Sequence, residues 1–274
     1  MTGESRTRYG GWALVTGASS GLGECFAEAF AAEGHPVVLV ARRADRLAAL
    51  AERLRKSYGV ETLVVAADLA DPDAPRHVAS AVGDREVGVL VNNAGFGFSG
   101  RFVDGEPSDD AKMVALNCGA VVALTHLFLP PMLRRKRGAV IFVASVAGHQ
   151  PTPFFAVYGA TKAFDLMLAE ALWEETRGSG VDVLAVSPGS TKTEFSVHAH
   201  FDRPPEGQDP RDVVAEALGR LGRGPGVVTG FGNKVKAFLH RVVPRSFAAS
   251  ATGRVLAKDL LRTTPDELRR RPLK

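Results

Sequence analysis

The sequence predicts an α/β protein: one doubly wound parallel sheet of about seven strands, with helices on both faces, in a single domain. Three observations predict it. Short apolar, β-branched runs recur at 12–16, 36–41, 62–67, 87–92, 139–145 and 181–187. Most are continuously apolar rather than alternating, as strands covered on both faces are. Ala/Leu/Glu/Arg-rich stretches long enough for helices lie between them, and such β–α alternation leads to right-handed crossovers and a parallel sheet. The chain has 274 residues, 45% hydrophobic and 23% charged, enough to bury a core that needs neither disulfide nor structural metal. Cys25 and Cys118 form no CxxC pair and read as buried free thiols of a reducing, cytoplasmic compartment.

In chain order, residues 1–10 form a polar N-terminal tail without the apolar segment of an export signal. The strand at 12–16 runs into Thr16-Gly17-Ala18-Ser19-Ser20-Gly21-Leu22-Gly23, with a helix beginning near Leu22. The second strand ends in Ala41-Arg42-Arg43, the third in Asp68-Leu69. Asp71-Pro72 reads as a helix N-cap with Pro in the first turn. The fourth strand ends in Asn92-Asn93-Ala94-Gly95, and the fifth runs from Ala139 to Ser145. The uncharged run Met113–Leu133 holds Asn117, His126, Pro130 and Pro131, so it reads as a buried helix rather than a membrane span. Strand six is followed by Pro188-Gly189-Ser190-Thr191-Lys192-Thr193. Residues 190–211 are polar with an adjacent Pro pair, and a mobile substrate lid is expected there. A helix from about Asp212 and a short strand at 226–230 complete a domain spanning 11–232. Residues 233–274 form a basic, mostly helical extension broken at Pro244. They carry 11 Lys/Arg and 3 Asp/Glu, a balance of +8 in a chain of net charge +4. The remaining body is therefore acidic, at −4.

The glycine loop carries the first chemistry. Gly17, Gly21 and Gly23 let backbone approach a pyrophosphate, and let the helix pack hard against the strand. The N–H groups of Ser19, Ser20, Gly21 and Leu22 open a helix N-terminus to phosphate. After strand two an NAD-binding chain usually places a carboxylate for the ribose 2′-hydroxyl. Here Ala41 holds that place and two guanidiniums follow. Arg42, and after it Arg43, suit a 2′-phosphate, which a planar fork binds with two charge-assisted hydrogen bonds.

Tyr158-Gly159-Ala160-Thr161-Lys162 sets a phenol and an ammonium four residues apart, on one helix face. A free phenol, with pKa ~10, exchanges its proton poorly at neutral pH. An ammonium at ~4 Å, at an effective dielectric near 20, would favour the phenolate by ~4 kcal/mol before desolvation. Ser145 lies 13 residues upstream, and Asn117 lies in the preceding long helix.

The loop spacing Gly17, Gly21, Gly23 and the ordered set Asn117, Ser145, Tyr158 and Lys162 resemble the TGxxxGxG loop and the Asn-Ser-Tyr-Lys tetrad of the short-chain dehydrogenase/reductase family, over about Trp12 to Phe195. The resemblance implies a Rossmann-like fold and NADP(H)-dependent hydride transfer between a ketone or aldehyde and an alcohol. It implies Tyr158 as general acid/base, Ser145 orienting the carbonyl, Lys162 holding the ribose, and Asn117 behind a water relay. It places Asp68 and Leu69 near the adenine, although Asp68 also reads as a turn or helix cap. It places Asn92, Ala94 and Gly95 on the adenosine side, and Pro188, Gly189, Thr191 and Thr193 around the carboxamide. It implies a homodimer or homotetramer through the helices near 111–130 and 157–177.

Phe96, Phe98, Phe154, Phe155 and Phe195 fall where the family places its substrate cleft, which favours an apolar or aromatic substrate. His198 and His200 form an H-x-H pair without an evident third ligand, so no metal site is read. The basic extension admits two readings: packing on its own domain or a second subunit, or peripheral contact through 233–262 with an anionic membrane. Nucleic acid has no recognisable reading module here. Two other functions compete. One is a non-catalytic NADP-binding sensor on the same fold, which would be free to lose the tetrad. The other is a longer-chain epimerase or dehydratase, for whose substrate domain little chain follows Gly189.

Overall fold

The computed structural model describes residues 4–195 and 207–261. Seven strands, β1 (Trp12–Thr16), β2 (Val37–Ala41), β3 (Thr62–Ala66), β4 (Val87–Asn92), β5 (Gly138–Val143), β6 (Val181–Ser187) and β7 (Gly226–Val228), form one sheet. Their order is β3-β2-β1-β4-β5-β6-β7, and every neighbouring pair is parallel. The order reverses between β1 and β4. Chains leaving those two strands diverge to opposite sides, which opens a crevice at their carboxyl ends.

The continuous apolar runs have a direct cause. Successive strand residues point to opposite faces, and both faces are covered. On one face Ala13, Val15, Leu39 and Ile141 pack with Phe26 and Phe30 of α2 (Gly21–Ala32), Leu47 and Leu54 of α3 (Ala44–Tyr58) and Val213 of a helix at Pro210–Arg220. On the other, Leu14, Val38, Leu90, Val140 and Phe142 pack with Val78 of α4 (Ala74–Val82), Leu124 and Met132 of a helix at Val121–Arg135, and Leu166 of a helix at Ala156–Glu175.

The uncharged run becomes three pieces: α5 (Pro107–Val114), a π-helical turn (Ala115–Ala120) and α6 (Val121–Arg135). The segment 107–135 is long and apolar enough to cross a membrane, but here Leu124, Phe128 and Met132 are buried against the sheet. The remaining helices are α7 (Ala156–Glu175), α8 (Pro210–Arg220), α9 (Phe231–Val242) and α10 (Arg245–Leu261).

Several local expectations change. Residues 4–9 are a short helix, α1 (Glu4–Tyr9), rather than a loose tail. Tyr9 is buried and donates to Asp182 at 2.8 Å. The cap of α4 is Asp73, with Pro75 in the first turn, while Asp71 accepts from the Asp73 N–H. β5 stops at Val143, two residues before Ser145. Cys25 and Cys118 are unpaired and only partly buried. In the expected lid, residues 196–206, with His198, His200 and Phe201, lie outside the described residues. The two ends flanking them are joined: Gln208 donates its N–H to Ser190 O, and Lys192 donates its own to Gln208 O, each at 3.0 Å.

Candidate active site

A cleft of about 830 Å³ runs along the carboxyl edge of the sheet, from Arg42 and Asp68 at one end to Phe98 and Leu256 at the other. That is room for a dinucleotide with a second ligand beside it. At its centre the turn after β1 is knitted to the turn after β4. Thr16 Oγ1 accepts the N–H groups of Asn93 and Ala94, both at 2.9 Å, and Asn93 Nδ2 donates to Thr16 O at 2.7 Å.

Gly17 and Gly21 take positive φ (64° and 59°). Gly23 packs so close to the turn that a Cβ there would lie 2.2 Å from Gly17 O. It therefore brings α2 to the strand instead of lining the cleft, which Ser19, Ser20, Gly21 and Leu22 do. Ser20 caps α2 without a side-chain bond, leaving first-turn N–H groups directed at the cleft. Asn92 departs from expectation. It is buried beneath the sheet, donates to Thr125 Oγ1 at 3.1 Å and does not line the cleft, where Asn93 stands instead.

Arg42 and Arg43 both line the cleft beyond β2. Arg42 makes no hydrogen bond or ion pair to any described residue. Arg43 is held on one side by Ser19 Oγ (3.0 Å) and Ser20 Oγ (2.8 Å), and on the other by Glu194 (2.9 Å), which also binds Arg46 at 2.7 Å. These guanidiniums hold the Glu194 carboxyl down at about 2. Asp68 and Leu69 line the same end, and Asp68 accepts from the Ala70 N–H.

At the centre of the cleft stand Ser145, Tyr158 and Lys162. Ser145 is the N-cap of a 3-10 turn, its Oγ accepting from Ala147 N at 3.1 Å. Its hydroxyl donates to Pro188 O at a long 3.5 Å and lies within hydrogen-bond reach of the Tyr158 phenol. Tyr158 is buried, stacked on Phe155 (4.3 Å between centroids) and leaning on Phe195 (5.3 Å). Lys162 Nζ stands 6.0 Å from the Tyr158 ring centre and donates to Val143 O (2.8 Å) and Asp165 Oδ2 (2.9 Å).

The electrostatics differ from the expectation of a phenol made acidic by Lys162. Burial dominates and pushes Tyr158 up; Lys162 and Ser145 pull it down, and Asp165 adds to the rise. Burial likewise raises the Asp165 carboxyl against the pull of Lys162, and Asp165 Oδ1 has no hydrogen-bond partner.

Asn117 sits on the π-turn and outside the cleft lining. Its amide accepts from Phe96 N (3.2 Å) and donates to Phe96 O (2.9 Å) and Thr161 Oγ1 (3.0 Å), tying the β4 loop to α7. It stays close to Lys162: a Cβ on Gly95 would lie 3.1 Å from Asn117 Oδ1 and 3.5 Å from Nζ. Ala94, Gly95, Pro188, Gly189, Thr191 and Thr193 line the middle of the cleft.

Phe96, Phe98, Phe155 and Phe195 line the far end, but Phe154 does not. It turns away at φ 65°, and its carbonyl accepts from Gly100 N at 2.8 Å. Sequence reasoning missed Asn93, Asp165, Glu194 and Leu256. Asp165, three residues after Lys162, carries a legible i,i+3 signal; Asn93 stands within the Asn92-Asn93-Ala94-Gly95 turn itself. Glu194 and Leu256 carried none, since only folding brings them to the cleft. Among the described residues no group of three His, Cys, Asp or Glu could hold a metal ion.

Known proteins resemble this chain in sequence and in fold. The family "short chain dehydrogenase" matches residues 11–203. A 7beta-hydroxysteroid dehydrogenase from Collinsella aerofaciens is 35% identical over 236 residues, covering 84% of this chain and 89% of its own. A very-long-chain 3-oxoacyl-CoA reductase from Anas platyrhynchos is 35% identical over 78% of this chain and 69% of its own. Among solved structures, a 7beta-hydroxysteroid dehydrogenase superposes with a TM-score of 0.85 at 33% identity, covering 91% of this chain and 99% of the other. A short-chain dehydrogenase from Sphingobium yanoikuyae in complex with NADPH gives 0.76 at 34% identity, covering 86% and 97%. The fold, the glycine turn and these matches together show that the chain belongs to the short-chain dehydrogenase/reductase family, as an oxidoreductase of alcohols and ketones with a nicotinamide cofactor.

Proposed function

We propose that the protein is an NADP(H)-dependent reductase of bulky, apolar ketones or aldehydes, working reversibly, with Tyr158 as the general acid/base. The observation that carries this reading is the placement of Tyr158: a phenol flanked by Phe155 and Phe195, in one cleft with Ser145, Lys162 and the glycine turn.

When bound, the nicotinamide supplies or takes the hydride. Lys162, anchored by Val143 O and Asp165, has one N–H left for the ribose hydroxyls. Ser145 donates to the carbonyl oxygen and fixes its direction. Tyr158 passes its proton to the same oxygen as the carbonyl is reduced. Burial keeps the phenol protonated, which is the form a proton donor needs. Asn117 holds the loop that covers Lys162, and a water behind it links Lys162 to solvent.

Arg42 and Arg43 support a 2′-phosphate. The 7beta-hydroxysteroid dehydrogenases, the very-long-chain 3-oxoacyl-CoA reductases and a bulky-bulky ketone specific alcohol dehydrogenase among the similar proteins support a large apolar substrate. So do the four phenylalanines at the far end of the cleft. The unpaired thiols support a cytoplasmic setting.

The test is NADPH consumption across steroid ketones, bulky aryl ketones and long-chain 3-oxoacyl thioesters, with Tyr158→Phe as control. Turnover with at least one class, lost by a factor of about 10³ or more in the variant, supports the reading. A protein that binds NADPH yet turns over none of them is a sensor. For the cofactor, NADPH is expected to bind at least about tenfold tighter than NADH, with Arg42→Ala reducing the ratio; equal affinities refute the preference.

A further inference from the structure

One carboxylate ties the segment after β6 to the dinucleotide end of the cleft. Glu194 gives Oε2 to Arg43 and Oε1 to Arg46, both from the turn and helix that follow β2. Arg43 completes its fork on Ser19 and Ser20 of the glycine turn. The next residue, Phe195, leans on the Tyr158 ring. Two consecutive residues thus touch opposite ends of the reaction: Glu194 the basic turn, Phe195 the phenol.

Resting on the NADP(H) reading above, we propose that Glu194 is a specificity-determining residue and a latch. Its carboxylate occupies, on Arg43 and Arg46, the place that a 2′-phosphate takes, and its displacement there releases Phe195 from Tyr158.

The charge balance supports an exchange. Arg42, Arg43 and Arg46 bring three positive charges to this turn, and a phosphate monoester of about −1.5 to −2 answers more of that charge than the single carboxylate it displaces. The latch joins side chains that are 35–45% exposed, and ion pairs between such groups are weak. A phosphate offers more acceptor oxygens to a guanidinium fork than a carboxylate does, so it wins the contest. A 2′-hydroxyl brings no competing charge, and the latch then stays shut. Neutral pH does not open it, because the arginines hold the Glu194 carboxyl at about 2. Selection of the phosphorylated dinucleotide and access to Tyr158 become one event, with the dinucleotide binding first.

Calorimetry with the full chain tests this, using adenosine 2′,5′-bisphosphate and 5′-AMP as probes. Glu194→Gln is expected to bind the bisphosphate about fivefold tighter, with 5′-AMP changed by less than about twofold. Glu194→Asp, with a shorter reach to both guanidiniums, should move the same way and replaces the first variant if that one does not fold. In protein carrying 4-fluorophenylalanine, the Phe195 resonance, assigned with Phe195→Leu, should shift on adding the bisphosphate but not 5′-AMP. If Glu194→Gln weakens both probes equally, Glu194 is a structural strap; the latch falls and the cofactor reading stands. An unmoved resonance overturns the link to Tyr158. If the wild type binds both probes alike, the cofactor reading and the latch fall together.

Discussion

Lys162 has three N–H donors, and two are engaged within the protein, by Val143 O and by the buried carboxylate of Asp165. Asp165 therefore holds the ammonium in place while offsetting its effect on the phenol, since its charge raises Tyr158. The sign of a substitution follows. Asp165→Asn keeps a hydrogen bond to Nζ but removes the negative charge, so the Tyr158 pKa falls. In the alcohol-oxidising direction, where the phenolate is the base, the acid limb of the pH–rate profile should move about 1 unit to lower pH. A residue that only anchors Lys162 would lower the rate and leave the profile where it is. Thermal unfolding should register a separate loss, because a buried ammonium is left with weaker compensation.

At the scale of elements, the approach of α2 to β1 decides whether a phosphate site exists. Gly23→Ala would put a methyl 2.2 Å from a backbone oxygen and 2.6 Å from the Asn93 amide, and neither partner is a free side-chain end. The expected cost is about 1–3 kcal/mol in denaturant unfolding, with dinucleotide affinity lost in calorimetry as the helix N-terminus moves out. Phe154 presents the opposite case, a bulky residue held at φ 65° in the segment before α7. Such a conformation costs a non-glycine residue about 1 kcal/mol or more, so Phe154→Gly should raise the melting temperature if the lost side chain contributes little packing. The elements also show the limits of pattern reading. Strand existence was plain from apolar runs, because both sheet faces are covered. The stop of β5 at Val143 was not, since Ala144 and Ser145 are as buried as the strand. The π-turn that aims Asn117 left no mark in a helical period.

At the scale of the molecule, the basic extension packs through small residues. Ala237, Ala248, Thr252 and Ala257 are buried, while Phe238, Leu239, Val242 and Phe247 stand outward. The extension also reaches the cleft through Leu256. Packing on its own domain thus accounts for the small side chains and Leu256, but not for the large outward ones. If an anionic membrane covers the large ones, binding to anionic vesicles should be salt-sensitive and lost in Phe238→Asp; a protein that ignores vesicles assigns that face to another subunit. A second exposed apolar set, Val114, Phe164 and Met167, lies on α5 and α7, the helices through which an oligomer is expected. Met167→Glu should shift the mass in light scattering from oligomer to monomer; an unchanged mass would place the contact elsewhere.

The order of strands and helices, the glycine turn, the basic pair after β2 and the Tyr-Lys spacing were all determined by the sequence itself. Each is a local matter of period, φ or i,i+4 reach, which neighbouring residues settle among themselves. Tertiary structure alone decided that Asn93 rather than Asn92 faces the cleft, that Glu194 crosses to Arg43 and Arg46, and that burial outweighs Lys162 at Tyr158. Those outcomes depend on which face a side chain takes, how much water it loses and what charge arrives from 148 or 151 residues away. No local pattern records such quantities, because they exist only once the chain has closed around them.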